Sequence, residues 1–469
     1  MHRGFRSGRV CKVFRIFAWA ACLAAAGNAE AAEPWRLQST LGLPEWLSLG
    51  VEQRTRYETV GNQFRAGGEG GDQVIAFRTL VTAEARLQGW RLGGELMDSR
   101  VVLDDSGTPL DTTQEDRTDL LQGYLAWGSK GFAGSGLAVE ARGGRQTMDL
   151  GSRRLVARNS FRNTINAFTG LHLRVESPSK WQARGFFVLP VARLPDKTED
   201  IEAGEVRFDR EDPETYLWAA FFRYSRLPWN ISCELYLVRL HENDTSDLAT
   251  RNRRLYAPGV RWFKEPARGS LDFEVESIYE AGNSRASTRP DDTTDLDQAA
   301  HCQHAQIGYT FDVPWAPRFL VQYDYASGDR DPNDRDTERF DTLFGARRFE
   351  FGPTGIWGAF ARSNLHSPGY RLIIRPAETL STFLGHRMSW LASDRDAWVP
   401  ARLQDKTGGS GDFIGHQIEG SITWNVVPKN LALETGFAYL IKGGFARHAP
   451  DAPPEDESTY FYAQTVLQF

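Results

Sequence analysis

Apolar and polar residues alternate one by one through most of this chain. In IAFRTLVTAEARLQ (75–88), Ile75, Phe77, Val81, Ala83, Ala85 and Leu87 share one face, while Arg78, Thr82, Glu84, Arg86 and Gln88 share the other. The pattern returns at 165–176, 269–280, 302–312, 316–326, 412–424, 429–442 and 459–469. A period of two marks strands with one face in an apolar phase and one in a polar phase. The segments run to ~10–12 residues, longer than the ~5–6 of most soluble sheets and long enough to cross a bilayer as tilted strands. Less regular segments at 47–58, 230–240 and 368–376 bring the count to about 18. The pattern predicts an all-β fold, a transmembrane antiparallel β-barrel of about 18 strands with long extracellular loops, wide enough to leave an aqueous bore.

Polar links at 103–116, 191–214, 241–253, 281–300, 327–354, 392–411 and 443–458 read as the extracellular loops, and Leu87-Gln88-Gly89 and Val427-Pro428-Lys429-Asn430 as tight periplasmic turns. Aromatic residues gather near strand ends at Trp127, Tyr216 with Trp218, Trp262-Phe263, Trp390, Trp424 and Tyr460 to Tyr462, as interfacial girdles require. The last ten residues, YFYAQTVLQF, alternate to the final Phe469. This ending resembles the closing strand of bacterial outer-membrane barrels. On that resemblance Tyr460, Tyr462, Leu467 and Phe469 are the signal read by the barrel-assembly machinery, with Phe461 to Phe469 towards lipid and Tyr462, Gln464 and Gln468 towards the bore.

The N-terminus sets the compartment. Arg3, Arg6, Arg9, Lys12 and Arg15 precede an apolar run from Ile16 to Ala26 and a small-residue exit, the layout of a cleavable export signal over residues 1–32. Residues 33–469 are then one barrel domain. Cleavage removes five of the 55 basic and one of the 61 acidic residues, leaving 50 against 60 and a net charge of −10. That balance disfavours nucleic acid as a partner. Mean hydropathy is only −0.45, as expected when lipid-facing residues are every second one. Cys233 and Cys302 remain after cleavage; Cys233 falls among Ile231, Leu235 and Leu237, so both are expected as unpaired small hydrophobes rather than a disulfide.

Three stretches carry a family resemblance: GRQTMDLGSRRLVARNSFRNTINAFTGLHLR within 143–174, YDYASGDRDPNDRDTERFDTLFGARRFEFG (323–352) and FIGHQIEGSITWNVVPKNLALETGFAYLIKG (413–443). They resemble the alginate export family of outer-membrane proteins, most recognisably in the GRQ of Gly144 to Gln146, the SGD of Ser327 to Asp329 and the FD-LFG of Phe340 to Gly345. The resemblance implies a barrel narrowed by arginine-rich surfaces and a passive outward path for an anionic polysaccharide such as alginate. It also implies that the 327–354 loop folds towards the pore.

The residues themselves offer the means for such a path. Arg145, Arg153, Arg154, Arg158 and Arg162 fall within eighteen positions. Arg78, Arg86, Arg142, Arg174, Arg184, Arg223 and Arg387 lie on polar strand faces, and Arg347 and Arg348 in the 327–354 loop. Arginine keeps its charge and meets carboxylates through a planar fork, which suits weak, repeated contact with a polyanion. The competing role is a structural mesh with Glu84, Glu140, Glu176, Asp272, Glu274 and Glu434. A small-anion porin shares the fold and differs only in bore charge and width, whereas a soluble sugar-binding sandwich fits neither strand length nor ending. A hydrolase would need parts such as Ser363 with His366, His301 with His304, or His416, yet no motif with defined mechanics surrounds them. No enzyme activity and no cofactor are expected. Asp329, Asp331 and Asn333 are a weak Ca2+ candidate, because their loop lacks the glycine and distal glutamate of an EF-hand. The expected partners are outer-membrane lipid, the assembly machinery, and an anionic polysaccharide or small anions; the expected state is a monomer in the bacterial outer membrane.

Overall fold

The computed structural model describes residues 34–105, 108–178, 180–245 and 248–469. The segment read as an export signal lies outside the described residues. Eighteen long strands make the wall. The first nine are β1 (Leu47–Gly61), β2 (Asp72–Leu87), β3 (Trp90–Val102), β4 (Asp116–Lys130), β5 (Ala138–Gln146), β6 (Phe168–Glu176), β7 (Trp181–Ala192), β8 (Tyr216–Leu227) and β9 (Ile231–His241). They are followed by β10 (Arg254–Lys264), β11 (Ser270–Ser284), β12 (Leu296–Thr310), β13 (Arg318–Ala326), β14 (Leu365–Ala377), β15 (Leu380–Trp390), β16 (Phe413–Val427), β17 (Leu431–Lys442) and β18 (Glu457–Gln468).

Each strand pairs antiparallel with the next, and β1 pairs with both β2 and β18: Thr55 faces Phe77 on one side and Thr465 on the other. Closure leaves no sheet edge, so backbone groups in the hydrocarbon layer are satisfied within the wall. The last residue joins the seam, its N–H donating to the Val51 carbonyl at 2.9 Å while its own carbonyl accepts from Val51 N–H at 3.2 Å. Its ring meets Trp35 edge-on at 4.8 Å.

Connections sort by end. Eight turns of two to seven residues lie at one end and nine loops of 10 to 38 residues at the other, the periplasmic and extracellular arrangement of outer-membrane barrels. The Gln88-Gly89 turn has φ of +46° and +87°, the conformation that matches strand twist in a two-residue hairpin. A side chain at Gly89 would put its Cβ 2.7 Å from the Gly128 carbonyl.

The outer wall is apolar: Leu92, Leu171, Phe187, Leu271 and Ile307 are each more than half exposed. Trp46, Trp90, Trp229, Trp315 and Trp424 ring the turn end, and Phe187, Tyr256, Tyr279 and Tyr323 sit towards the loop end. Phe263 and Tyr460, read above as girdle residues, instead face inward. Phe263 lies under the guanidiniums of Arg223 and Arg261, and Tyr460 donates to Glu58 at 2.8 Å. Cys233 and Cys302 are free thiols, the second buried.

A further difference concerns 165–176. The strand begins only at Phe168, and Ile165 and Ala167 lie inside the barrel, packed with Leu80, Met97 and Leu121. Their alternation matches a strand because the loop they end lies against an apolar inner wall. Loop 281–300 shortens to 285–295 as β11 and β12 lengthen, and loop 327–354 extends to 364.

Candidate translocation path and its constriction

Two loops enter the lumen and join there. Residues 147–167 leave β5, residues 327–364 leave β13, and Val156 pairs with Phe344 as a parallel bridge. Ala157 N–H donates to the Phe344 carbonyl, Phe344 N–H to Leu155, and Ala346 N–H to Arg153. At Gly345 an added Cβ would fall 1.8 Å from the Arg154 carbonyl, so the approach requires glycine. The FD-LFG segment is thus the seam between the loops. Its Asp341 accepts from Arg251 and Arg253, and Phe340 is buried. The SGD segment is the hinge. Ser327 N–H and Oγ tie it to β12 and to Glu338, and a Cβ at Gly328 would strike Asn364.

The two loops, together with the 62–71 and 391–412 loops, fill the extracellular half of the lumen with apolar packing. Ile356, Trp357 and Phe360, with Phe64 and Trp398 from those two further loops, cover Val74, Ala76, Val101, Leu440 and Tyr460 of the inner wall, while Met148, Leu155, Val156 and Phe340 cover Leu217, Val238, Leu240 and Ala257. Below that packing the wall is charged. Arg154, at the loop seam, meets Glu274 at 2.6 Å, Glu350 at 2.5 Å and Glu276. Glu350 also takes Arg362, and its backbone carbonyl accepts from Arg387 at 2.7 Å. Arg261 links Glu234 at 3.0 Å to Glu274 at 2.9 Å, and Asp324 accepts from His304 at 2.7 Å. On the opposite wall Arg54, Arg56 and Arg78 aim at loop backbone: Arg54 donates to the carbonyls of Ser160 and Phe161, Arg56 to Phe161 and Arg78 to Ser160. Inward wall arginines therefore hold the tip of the first loop through its carbonyl dipoles.

Of the fourteen arginines expected on the path, ten meet carboxylates. Arg78 pairs with Glu52, Arg86 with Glu84, Arg142 with Glu140, Arg145 with Asp119 and Glu211, and Arg158 with Glu95. Arg174 pairs with Glu176, Arg223 with Glu234 at 3.8 Å, Arg348 with Glu434 at 3.8 Å, and Arg387 with Asp324, alongside Arg154. Among the described residues Arg153, Arg162, Arg184 and Arg347 have no carboxylate within salt-bridge distance. Arg153 lies over the Phe349 ring at 4.7 Å, and Arg184 donates to Gln182 and the Asp149 carbonyl. Arg162 donates to Asn166 Oδ1 at 2.8 Å, the same oxygen that accepts from Arg193 at 3.2 Å. Burial, then the guanidiniums of Arg193 and Arg347, pull Arg162 down to about 9; burial and Arg362 pull Arg347 down to about 10. Arg65, whose Nη2 donates to the Ile356 carbonyl at 2.9 Å, is likewise pulled to about 10 by burial, Arg347 and Arg402. A positive cluster thus forms among the 62–71, 147–167 and 327–364 loops, with Asp111 the acid recurring beside all three.

Sequence reasoning missed Arg54, Arg56, Arg65, Arg193, Arg362 and the acid Glu350. Arg54 and Arg56 carried a signal, being alternate residues of a strand, but Glu350 and Arg362 become partners only through the loop fold. In the 327–364 loop Asp331 accepts from Asn333 N–H and Nδ2, and Asp329 N–H donates to Asp396. His366 contacts Tyr323, His416 contacts His386, and His301 stacks on Tyr325, so these histidines are spread over the wall.

At the periplasmic mouth a cavity of about 420 Å³ is lined by Arg86, Arg91, Lys130 and Arg174, with Glu140 and Glu176.

Solved structures share the architecture. The chain superposes on OccAB1 of Acinetobacter baumannii with a TM-score of 0.58 at 10% identity, covering 94% of this chain and 99% of that one. For OpdL of Pseudomonas aeruginosa the values are 0.56 and 12%, covering 90% and 98%. For the outer membrane protein OprD of Pseudomonas aeruginosa they are 0.52 and 13%, covering 90% and 93%. At such identities the likeness shows the fold alone. No curated protein matches the chain. The family model for alginate export matches residues 45–458, and with the closed 18-stranded wall it marks a channel protein of the bacterial outer membrane. The chain belongs to the alginate export family.

Proposed function

We propose that this barrel conducts an anionic polysaccharide outward by passive diffusion, and that arginines left without carboxylate partners attract and pass it. The observation that carries the reading is the cluster of Arg162, Arg193 and Arg347, three guanidiniums near one another, of which Arg162 and Arg193 donate to Asn166 and Arg193 also to the Thr112 carbonyl. A polyuronate carboxylate entering this cluster meets guanidiniums that have no carboxylate within salt-bridge distance among the described residues, whereas beside Arg154 or Arg387 it meets charge already spent on glutamate and aspartate. Contacts of this kind must remain weak for the polymer to leave.

The test is conductance of the purified barrel in planar bilayers. Anion preference is expected, with partial block by polyuronate oligomers, and Arg162→Ala with Arg347→Ala raises the half-blocking concentration about tenfold, equivalent to ~1.4 kcal/mol. A cation-selective channel indifferent to the oligomers would overturn the reading. Passage of small organic anions without any block would favour a small-anion porin instead.

A further inference from the structure

At the extracellular rim three carboxylates converge that the polymer path does not use. Asp116 and Asp119 stand three apart in β4, a spacing that normally sends side chains to opposite faces. A bulge corrects this. Ser99 pairs with Asp116 and Met97 with Asp119, so Arg117 and Thr118 together oppose Asp98, and Thr118 takes φ of +48°. Both acids therefore point inward, where Asp209 of the 193–215 loop joins them; Asp209 N–H donates to Asp119 Oδ2. The three side chains each offer an oxygen, all within 4.8 Å of one another.

The neighbourhood is short of cations. Glu211 adds a fourth carboxylate. Arg145 divides itself between Glu211 at 2.9 Å and Asp119 at 3.3 Å, while Arg193 donates through Nε to the Thr112 carbonyl at 2.8 Å and through Nη1 to Asn166. Four carboxylates against two guanidiniums leave two negative charges. Asp116 is the independent sign of a missing partner: it is 2% exposed, and neither carboxylate oxygen has a hydrogen-bond partner. A buried ionised carboxylate is costly unless a cation meets it. The other compact acidic group, His304 with Asp324 and Glu350, differs because Arg154, Arg362 and Arg387 already neutralise it.

We infer that Asp116, Asp119 and Asp209 hold one Ca2+, which ties the 193–215 loop to the barrel wall. An all-carboxylate set suits a hard cation rather than zinc or copper, and oxygens on opposite sides of Ca2+ lie about 4.8 Å apart at its usual ligand distance of about 2.4 Å. Asp116 offers both oxygens and water completes the shell. The site borders the arginine cluster through Arg193, and its three carboxylates are distinct from the arginines proposed to meet the polymer.

The experiment is Ca2+ titration, by calorimetry, of the full barrel refolded in detergent after chelation. One Ca2+ per chain is expected, with Asp116→Asn and Asp209→Asn each weakening it roughly tenfold or more and Asp331→Asn leaving it unchanged. Protease cleavage within 193–215 should be slower with Ca2+ than with chelator. Asp209 lies in a loop outside the wall, so D209N keeps the test valid if D116N fails to yield a heat-modifiable barrel. Absence of Ca2+ binding by the unaltered barrel, or unchanged binding in both variants, would overturn the assignment.

Discussion

The two halves of the lumen are built by opposite rules. In the periplasmic half, inward residues are charged and half-hydrated, as in the Arg86–Glu84 pair, whose arginine is 64% exposed. In the extracellular half the inner wall turns apolar, and several loops cover it so that Trp357, Phe64 and Arg362 are almost wholly buried. Around Glu350 the buried charge there is fully paired. The contrast teaches that a barrel interior is polar where water fills it and behaves as a soluble-protein core where loops displace the water. Similar ion pairs therefore have different worth in the two halves.

Substitutions can break that contrast. Glu350→Ala strips a buried acid from Arg154 and Arg362, and losing one partner of a buried pair costs about 3–5 kcal/mol. The expected outcome is release of loops 147–167 and 327–364, read as higher single-channel conductance and faster protease cleavage in both, with the heat-modifiable barrel retained. Unchanged conductance would mean that apolar packing alone holds the loops. Trp357→Ala removes a fully buried ring whose Nε1 donates to Gln417, at a cost of about 3–4 kcal/mol, and should loosen the 327–364 loop without altering the charged belt. At the small end, Arg86→Ala should change stability by about 0–1 kcal/mol and shift ion selectivity slightly, because its pair is exposed to water. A loss comparable to that of Glu350→Ala would erase the distinction between the halves.

The same division explains what could be read in advance. The wall was legible because lipid imposes a strict period of two: the alternation at 269–280 falls within β11 but for its first residue, and that at 429–442 coincides with β17 to within two residues. The six acids expected to mesh with arginine each do so, Asp272 with Arg318 among them. Loops carry no such constraint. Ile165 and Ala167 follow the strand rule yet pack on an inner wall, and nothing local marks Glu350 as the acid that collects Arg154 and Arg362 from remote positions. Nor does spacing alone show that Asp116 and Asp119 share a face, because one bulge reverses the parity.

By itself, then, the sequence determined the barrel, its strand count, its lipid-facing residues and its family, since the periodicity of a membrane wall is written residue by residue. Tertiary structure decided which arginines are spent and which are free. An ion pair between chain positions some two hundred residues apart depends on how two loops meet inside the bore, and burial there, rather than residue type, sets whether a charge is paired as a brace.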